Sequence, residues 1–339
     1  MHVLLIKMSS MGDIIHTLPA VTDAMNAIPD LQIDWVVEPA FSDIPLWHPA
    51  VKQIIPMPLR QWRKNIVESI RSGEIKQFLQ TLKQKKYDAI IDAQGLLKSA
   101  IVTKIARGET HGFDKYSAKE FISSFFYMHK YSVEKDQHAI TRSRQLFAKA
   151  LQYDFLNSKP NYHIDTNQLP ALNFETPEKY LVFLHGTTWE TKHYPEMYWQ
   201  QLLAKADEND ITVYLPFGNI AEKQRAERLA ATAKCVKILP KLSISEMATL
   251  LKNATAVVTG DTGLGHLSAV LTTRTIGLYG STDPKHVGMV GDNQVILQAQ
   301  FPCAPCYSKT CLYAKNHKTE IVPACYTTIN PDMVWKLLM

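Results

Sequence analysis

Val3-Leu-Leu-Ile6, Lys7-Met-Ser-Ser-Met-Gly-Asp13 and the helical pattern over residues 14–27 open the chain and decide its class. A short unbroken apolar run, a Ser/Gly loop and then an amphipathic helix describe a βα unit whose strand is buried on both faces, as in a parallel sheet. The same rhythm repeats outward from it. Ile33-Asp-Trp-Val-Val37, Val51-Lys-Gln-Ile-Ile55 and Ala89-Ile-Ile-Asp92 read as strands, separated by helical patterns that continue at 68–85, 95–106 and 137–151. From residue 152 the rhythm breaks over a stretch with Pro160, Pro170 and Pro177. It restarts with Tyr180-Leu-Val-Phe-Leu184, Ile211-Thr-Val-Tyr-Leu215, Cys235-Val-Lys-Ile238, Ala256-Val-Val-Thr259 and Thr275-Ile-Gly-Leu-Tyr279, with helices at 195–208, 220–233, 244–252 and 263–271. The expectation is an α/β protein of two Rossmann-like domains, 1–155 and 179–328, joined by a linker at 156–178. The last segment, 329–339, holds a helix from Asp332 to Leu338 that has the option of crossing back to the first domain. Ligands of such folds bind beyond the carboxyl ends of the strands, here a cleft between the domains, so residues just after strands carry the functional weight.

Composition narrows the class further. The chain has 339 residues, 46% hydrophobic and 20% charged, which excludes disordered and collagen-like chains and leaves room for two full cores. No apolar run approaches the roughly 18 to 20 residues that span a bilayer. The N-terminus lacks the basic leader, apolar stretch and cleavage site of a signal peptide, so a cytoplasmic location is expected. Residues 1–170 hold 21 Lys/Arg against 17 Asp/Glu and residues 171–339 hold 16 against 15, so most of the net charge of +5 sits in the first half, the better candidate for an anionic partner.

Three loops after strands could carry chemistry. In Lys7–Asp13, Gly12 permits close backbone approach and Asp13 is either the N-cap of the following helix or a carboxylate able to take a proton from an acceptor hydroxyl. Neither the dinucleotide fingerprint nor the Walker pattern is present, which disfavours a nicotinamide dehydrogenase and a P-loop nucleotidase. His185-Gly-Thr-Thr-Trp-Glu-Thr-Lys192 offers hydroxyls and a point charge suited to a diphosphate, with an ordinary polar loop as the plainer alternative. Thr259-Gly-Asp-Thr-Gly-Leu-Gly-His266 sets glycines and Thr262 before a helix N-terminus, where phosphate binds well, while Asp261 reads equally as an N-cap.

Residues 52–86 carry nine Lys/Arg against two Glu. Much of that is the solvated face of a helix, yet Arg60-Gln-Trp-Arg-Lys64 is dense enough to hold a phosphorylated or carboxylated acceptor. The five cysteines are an odd count, which argues against a disulfide framework. Cys303, Cys306, Cys311 and Cys325 include one C-x-x-C pair and raise a structural zinc, with His317 a further candidate ligand.

Three ordered motifs now carry a resemblance: V-L-L-I-K-x-S-S-M-G-D-I-x-H-T-L-P-A from Val3, D-A-Q-G-L-x-K-S at 92–99 and D-T-G-L-x-H at 261–266. The chain resembles the lipopolysaccharide heptosyltransferases of glycosyltransferase family 9, and among them the heptosyltransferase I branch. The resemblance implies a GT-B fold and an inverting transfer that requires no cofactor. It implies ADP-L-glycero-β-D-manno-heptose as donor, a Kdo residue of Kdo-lipid A as acceptor, and work at the periphery of the anionic cytoplasmic face of the inner membrane. Asp13 would be the general base. Thr187, Thr188 and Lys192 would bind the donor diphosphate, Glu222 the ribose, and Leu242 would stand near the adenine. Asp261, Thr262, Gly263, Leu264 and His266 would contact heptose and phosphates, and Ser10, Gly12, Arg60, Arg63, Lys64 and Lys98 would face the acceptor.

Two departures stand out. Position 120 is Glu, beside Lys119, where enterobacterial members are expected to place Arg, and the Cys-rich tail at 303–325 resembles other branches, including those acting on a single phosphorylated Kdo. A sugar-nucleotide epimerase of the same fold and, remotely, a zinc-ribbon nucleic-acid binder are the competing readings. The second lacks the clustered Lys/Arg and interleaved aromatics that nucleic-acid binding needs, so no nucleic-acid partner is expected.

Overall fold

Continuous apolar runs become fully buried central strands in the computed structural model, which describes Met1–Met339. The chain divides into two units, Met1–Gln168 and Leu169–Met339, and each is built on one six-stranded sheet. The first holds β1 (His2–Ile6), β2 (Gln32–Val37), β3 (Val51–Pro56), β4 (Ala89–Asp92), β5 (Thr110–Phe113) and β6 (His129–Tyr131), in the order β3-β2-β1-β4-β5-β6. The second holds β7 (Tyr180–Leu184), β8 (Thr212–Leu215), β9 (Val236–Ile238), β10 (Ala256–Gly260), β11 (Thr275–Tyr279) and β12 (Gln294–Gln298), in the order β12-β11-β10-β7-β8-β9. Every pairing is parallel. The order in which the chain adds strands therefore reverses once in each sheet, between β1 and β4 in the first unit and between β7 and β10 in the second. Those two points are where ligands of doubly wound sheets bind.

Three strands escape the sequence reading, and each has a reason. β5 is only Thr-His-Gly-Phe, β6 has three residues, and β12 is a half-exposed edge strand, so none presents a buried apolar run. The single helix expected at 14–27 is two, Met11–Ile15 and Leu18–Ala27, because Pro19 cannot donate into a continuing ladder and instead occupies the first turn of the second.

The C-terminal helix, Pro331–Leu338, packs on the second unit's own core. Val334 and Leu338, one turn apart, are buried in the second unit's core with Trp199, Leu202 and Tyr326. Arg274 donates to the Leu337 carbonyl at 2.9 and 2.7 Å and Lys205 pairs with Asp332 at 2.8 Å, so both ends are tied to that unit.

Candidate functional site

In the first unit the loops after β1 and β4 are stitched together. Gln94 accepts the Met8 N–H at 2.7 Å and donates to the Ser9 carbonyl at 3.1 Å, and Lys7 Nζ donates to the Ala93 carbonyl at 2.9 Å. Asp92, wholly buried, shapes the second loop by accepting from Gln94 N, Gly95 N and the Tyr127 hydroxyl at 2.8, 3.1 and 2.7 Å. Burial pushes its carboxyl above the ordinary range despite those bonds. The D-A-Q-G motif is thus scaffold for the strand-end loops.

Asp13 is not an N-cap. The helix begins at Met11 with Ser10 as its N-cap, and Asp13 is three residues in, accepting from Ser10 N and Ser10 Oγ at 2.9 and 2.7 Å in a capping-box arrangement. Lys7 Nζ lies 3.6 Å from its other oxygen. Burial alone would raise this carboxyl, but the Lys7 charge and the two Ser10 bonds outweigh it and hold it well below the ordinary range. The carboxylate is ionised, oriented and 36% exposed, whereas its Lys7 partner is 11% exposed. Lys7 and Lys119, which also acts on Asp13, are contributors the sequence reading left without a role. Lys7 stood in the quoted motif and its strand-end position was the available signal.

Arg60, Arg63 and Lys64 lie on the helix Leu59–Lys64, and all three are exposed. Lys98, in the first turn of the helix Leu97–Ile105, is lowered first by partial burial and then by the like charges of Arg63 and Arg60, with Glu38 and Glu120 opposing. The basic residues after β3 and β4 therefore form one cluster. Glu120, the departure noted in the sequence, accepts the Leu97 N–H at 2.7 Å and so caps the helix that carries Lys98.

In the second unit, Lys192 Nζ reaches Asp261 Oδ2 at 2.6 Å, joining the loops after β7 and β10. Thr282, after β11, donates to the same oxygen at 2.8 Å, and His266 Nε2 is 3.5 Å from the other. Burial opposes the Asp261 charge, yet His266 and Lys192 hold the carboxyl well below the ordinary range. Asp261 is therefore a buried counter-ion, and the N-cap of the helix Gly263–Val270 is Thr262, which accepts Gly265 N–H at 3.1 Å. Thr187 and Thr188 lie in the open part of the β7 loop. Glu222, in the first turn of the helix Ile220–Ala230, accepts Gly218 N–H at 2.6 Å and comes so close to the β7 loop that a Cβ on Gly186 would stand 2.6 Å from its carboxyl carbon. Leu242, half-buried, precedes the Ser243 N-cap of the helix Ile244–Asn253. His185, behind the loop, is kept neutral by burial and then by Arg225, which push it down to about 4.

The four C-terminal cysteines are unpaired: Cys303 and Cys306 are exposed, Cys311 and Cys325 buried. Cys325 belongs to the second unit's core, and the one group of three potential ligands whose donor atoms all lie within 4.8 Å of one another is a different one, Glu109, His111 and His129. His129 Nε2 and Glu109 Oε2 are 3.0 Å apart there, and His111 Nδ1 is 3.0 Å from the Tyr131 hydroxyl.

The chain matches glycosyltransferase family 9 (heptosyltransferase) over residues 75–317. It is 48% identical over 342 residues to lipopolysaccharide heptosyltransferase 1 of Pseudomonas aeruginosa, covering 98% of this chain and 96% of that protein. The chain belongs to glycosyltransferase family 9. Lipopolysaccharide heptosyltransferase 1 of Escherichia coli K12 is 45% identical, over 88% of this chain and 94% of that one. The solved structure of E. coli heptosyltransferase WaaC with ADP-2-deoxy-2-fluoro heptose superposes with a TM-score of 0.83 at 40% identity, covering 100% of this chain and 99% of that one. The family 9 enzyme described here is thus a glycosyltransferase of the lipopolysaccharide heptosyltransferase I type with the expected two Rossmann-like units, and the epimerase and zinc-ribbon readings give way to it.

Proposed function

We propose that this family 9 enzyme transfers L-glycero-D-manno-heptose from ADP-heptose to a Kdo residue of Kdo-lipid A, with inversion and with Asp13 as the general base. In this reading the first unit binds the acceptor and the second the donor. The acceptor hydroxyl attacks the anomeric carbon of the heptose: its O–H proton passes to Asp13, the new C–O bond forms, and the bond to the ADP β-phosphate breaks with its electron pair leaving on the phosphate. Inversion in one displacement needs a single base. The observation that carries the assignment is the Asp13 carboxylate, ionised and aimed by Ser10 and Lys7 yet still open to a substrate. Its low basicity fits a late proton transfer, because the hydroxyl becomes strongly acidic only as the new bond forms.

On the donor side, Lys192 supplies the charge that meets the diphosphate, supported by Thr187, Thr188 and the helix N-terminus at Thr262 and Gly263 with Leu264, and this stabilises the charge growing on the leaving group. Asp261 and His266 hold Lys192 and the sugar, Glu222 takes the ribose and Leu242 the adenine. Arg60, Arg63, Lys64 and Lys98, with Ser10 and Gly12, face the acidic acceptor. Because that acceptor is lipid-anchored, the enzyme works at the cytoplasmic face of the inner membrane. The test is transfer by Asp13→Ala: ADP-heptose binding within about threefold of wild type with transfer reduced about 10²–10⁴-fold supports the base, the range general-base catalysis contributes. Turnover near wild type overturns it. Acceptors bearing one Kdo, a phosphorylated Kdo and two Kdo units then define the acceptor.

A further inference from the structure

Two short elements of the first unit face the wrong way for a surface in water. In the helix Ile66–Arg71, Ile66, Val67 and Ile70 fall on one 100° arc, and that arc points outward, while Ser69 is the buried residue. Val67 is 75% exposed and Ser69 3%. The 3-10 helix Phe121–Phe126 repeats the inversion: Ser123 and Ser124 are buried, and Phe121, Ile122 and Phe125 are exposed, Phe125 by 67%. Burial of apolar surface drives folding, so two elements that bury serines and expose large apolar side chains are shaped for something other than water.

The elements share one end of the sheet. One follows β3 and the other follows β5, both beyond the carboxyl ends of parallel strands. Glu120, immediately before the 3-10 turn, accepts the Leu97 N–H at 2.7 Å, which sets that turn against the helix carrying Lys98, and Lys98 is in turn near enough to feel Arg63 and Arg60 of the helix that precedes Ile66–Arg71. Cations fringe both: Arg63, Lys64 and Arg71 around the helix, Lys115 and Lys119 before the 3-10 turn. Large apolar side chains fringed by Lys and Arg are the chemistry of insertion into an anionic lipid interface.

We propose that the Ile66–Arg71 helix and the Phe121–Phe126 turn insert their apolar side chains into an anionic bilayer on either side of the basic acceptor cluster. The inference rests on the proposed lipid-anchored acceptor and adds which surface meets the membrane. A bilayer held at these two points brings an embedded sugar acceptor to Arg60, Arg63 and Lys98 without extracting its lipid.

The experiment compares wild type with Ile66→Ser/Val67→Ser/Ile70→Ser and Phe121→Ser/Phe125→Ser in sedimentation with phosphatidylcholine vesicles, with and without 30% phosphatidylglycerol. Wild type is expected to bind the anionic vesicles at least tenfold more tightly than either variant. A Phe125→Trp protein, independent of those variants' folding, is expected to blue-shift its emission on anionic vesicles only. Equal binding by all proteins, or no Trp shift, overturns the proposal, as does a wild-type dimer that the variants lose, which would assign the surface to a second copy. Transfer separates the two readings. Variants that heptosylate a deacylated, water-soluble Kdo acceptor normally but fail on vesicle-embedded Kdo-lipid A support the surface, and equal rates on both overturn it. Vesicle binding without any transfer keeps the surface and removes the proposed reaction.

Discussion

Replacing Lys192 by Met is expected to cost the second unit stability as well as donor affinity, and pH separates the two losses. Lys192 and Asp261 meet at 2.6 Å with side chains 15% and 8% exposed, so neither charge can turn to water when the other is removed. Removing one partner of such a pair typically costs about 3–5 kcal/mol. Thr282 and His266 remain to steady Asp261, which sets the expectation at the low end, about 3 kcal/mol. For a unit of this size that is a fall of about 6–12 °C in its unfolding transition. The sign with pH follows from Asp261. Its folded carboxyl is held below the ordinary value against burial, so its stabilisation is present above the ordinary carboxylate pKa and is lost as pH falls towards the folded one. Without Lys192 burial is less opposed, Asp261 protonates at higher pH, and the penalty shrinks from pH 7 towards pH 4.

Thermal unfolding of Lys192→Met, Asp261→Asn and the double variant between pH 4 and 8 measures this, alongside ADP affinity by calorimetry. The double variant is expected to recover most of the stability lost by Lys192→Met and none of the affinity, because the buried charge is gone but the diphosphate still lacks its cation. A stability loss below 1 kcal/mol at pH 7, or one that does not change with pH, refutes the buried-pair reasoning.

Other perturbations test neighbouring parts. Gly186→Ala places a Cβ 2.6 Å from the Glu222 carboxyl carbon and is expected to raise the KM for ADP-heptose by displacing that side chain, with little added effect in a Glu222→Ala background. Ser10→Ala removes a 2.7 Å bond to Asp13, so the acid limb of kcat is expected to move to higher pH while the rate at pH 7.5 changes less than about fivefold. Glu120→Ala strips the acceptor from the Leu97 N–H and is expected to cost about 1 kcal/mol of stability, read by denaturant unfolding.

The central strands were legible because both faces are buried, so Leu4, Leu5, Phe183 and Val258 sit in unbroken apolar runs. The edges were not, because β6 and β12 share their burial with solvent and carry no such run. Strand-end loops could be found, since their position follows from the strands, but who pairs with whom could not. Asp13 and Asp261 both looked like N-caps, and in both cases a nearby hydroxyl residue, Ser10 three positions earlier or Thr262 one position later, took that place instead. The Lys192–Asp261 pair joins residues 69 positions apart, a contact made only by the β7–β10 pairing. The inverted helix Ile66–Arg71 was hidden for the opposite reason: its sequence has the periodicity of an ordinary amphipathic helix, and only the fold reveals which face is inside.

Each unit thus places one Lys–Asp pair at the turning point of its sheet, and the more open partner differs. In the first unit Asp13 is 36% exposed against 11% for Lys7; in the second Lys192 is 15% exposed against 8% for Asp261. In the proposed reaction the more exposed partner meets the reacting proton or the diphosphate, and the hidden partner sets its charge state. One arrangement presents an anion able to accept a proton, the other a cation able to accept a diphosphate, from the same strand order. The roles should therefore separate by variant. Lys7→Met is expected to raise the Asp13 carboxyl towards its ordinary range and shift the acid limb of kcat upward with ADP affinity unchanged. Lys192→Met is expected to weaken ADP at least tenfold and leave the position of that limb where it was. If Lys7→Met weakens ADP binding as much as Lys192→Met does, the division of labour between the two pairs is wrong.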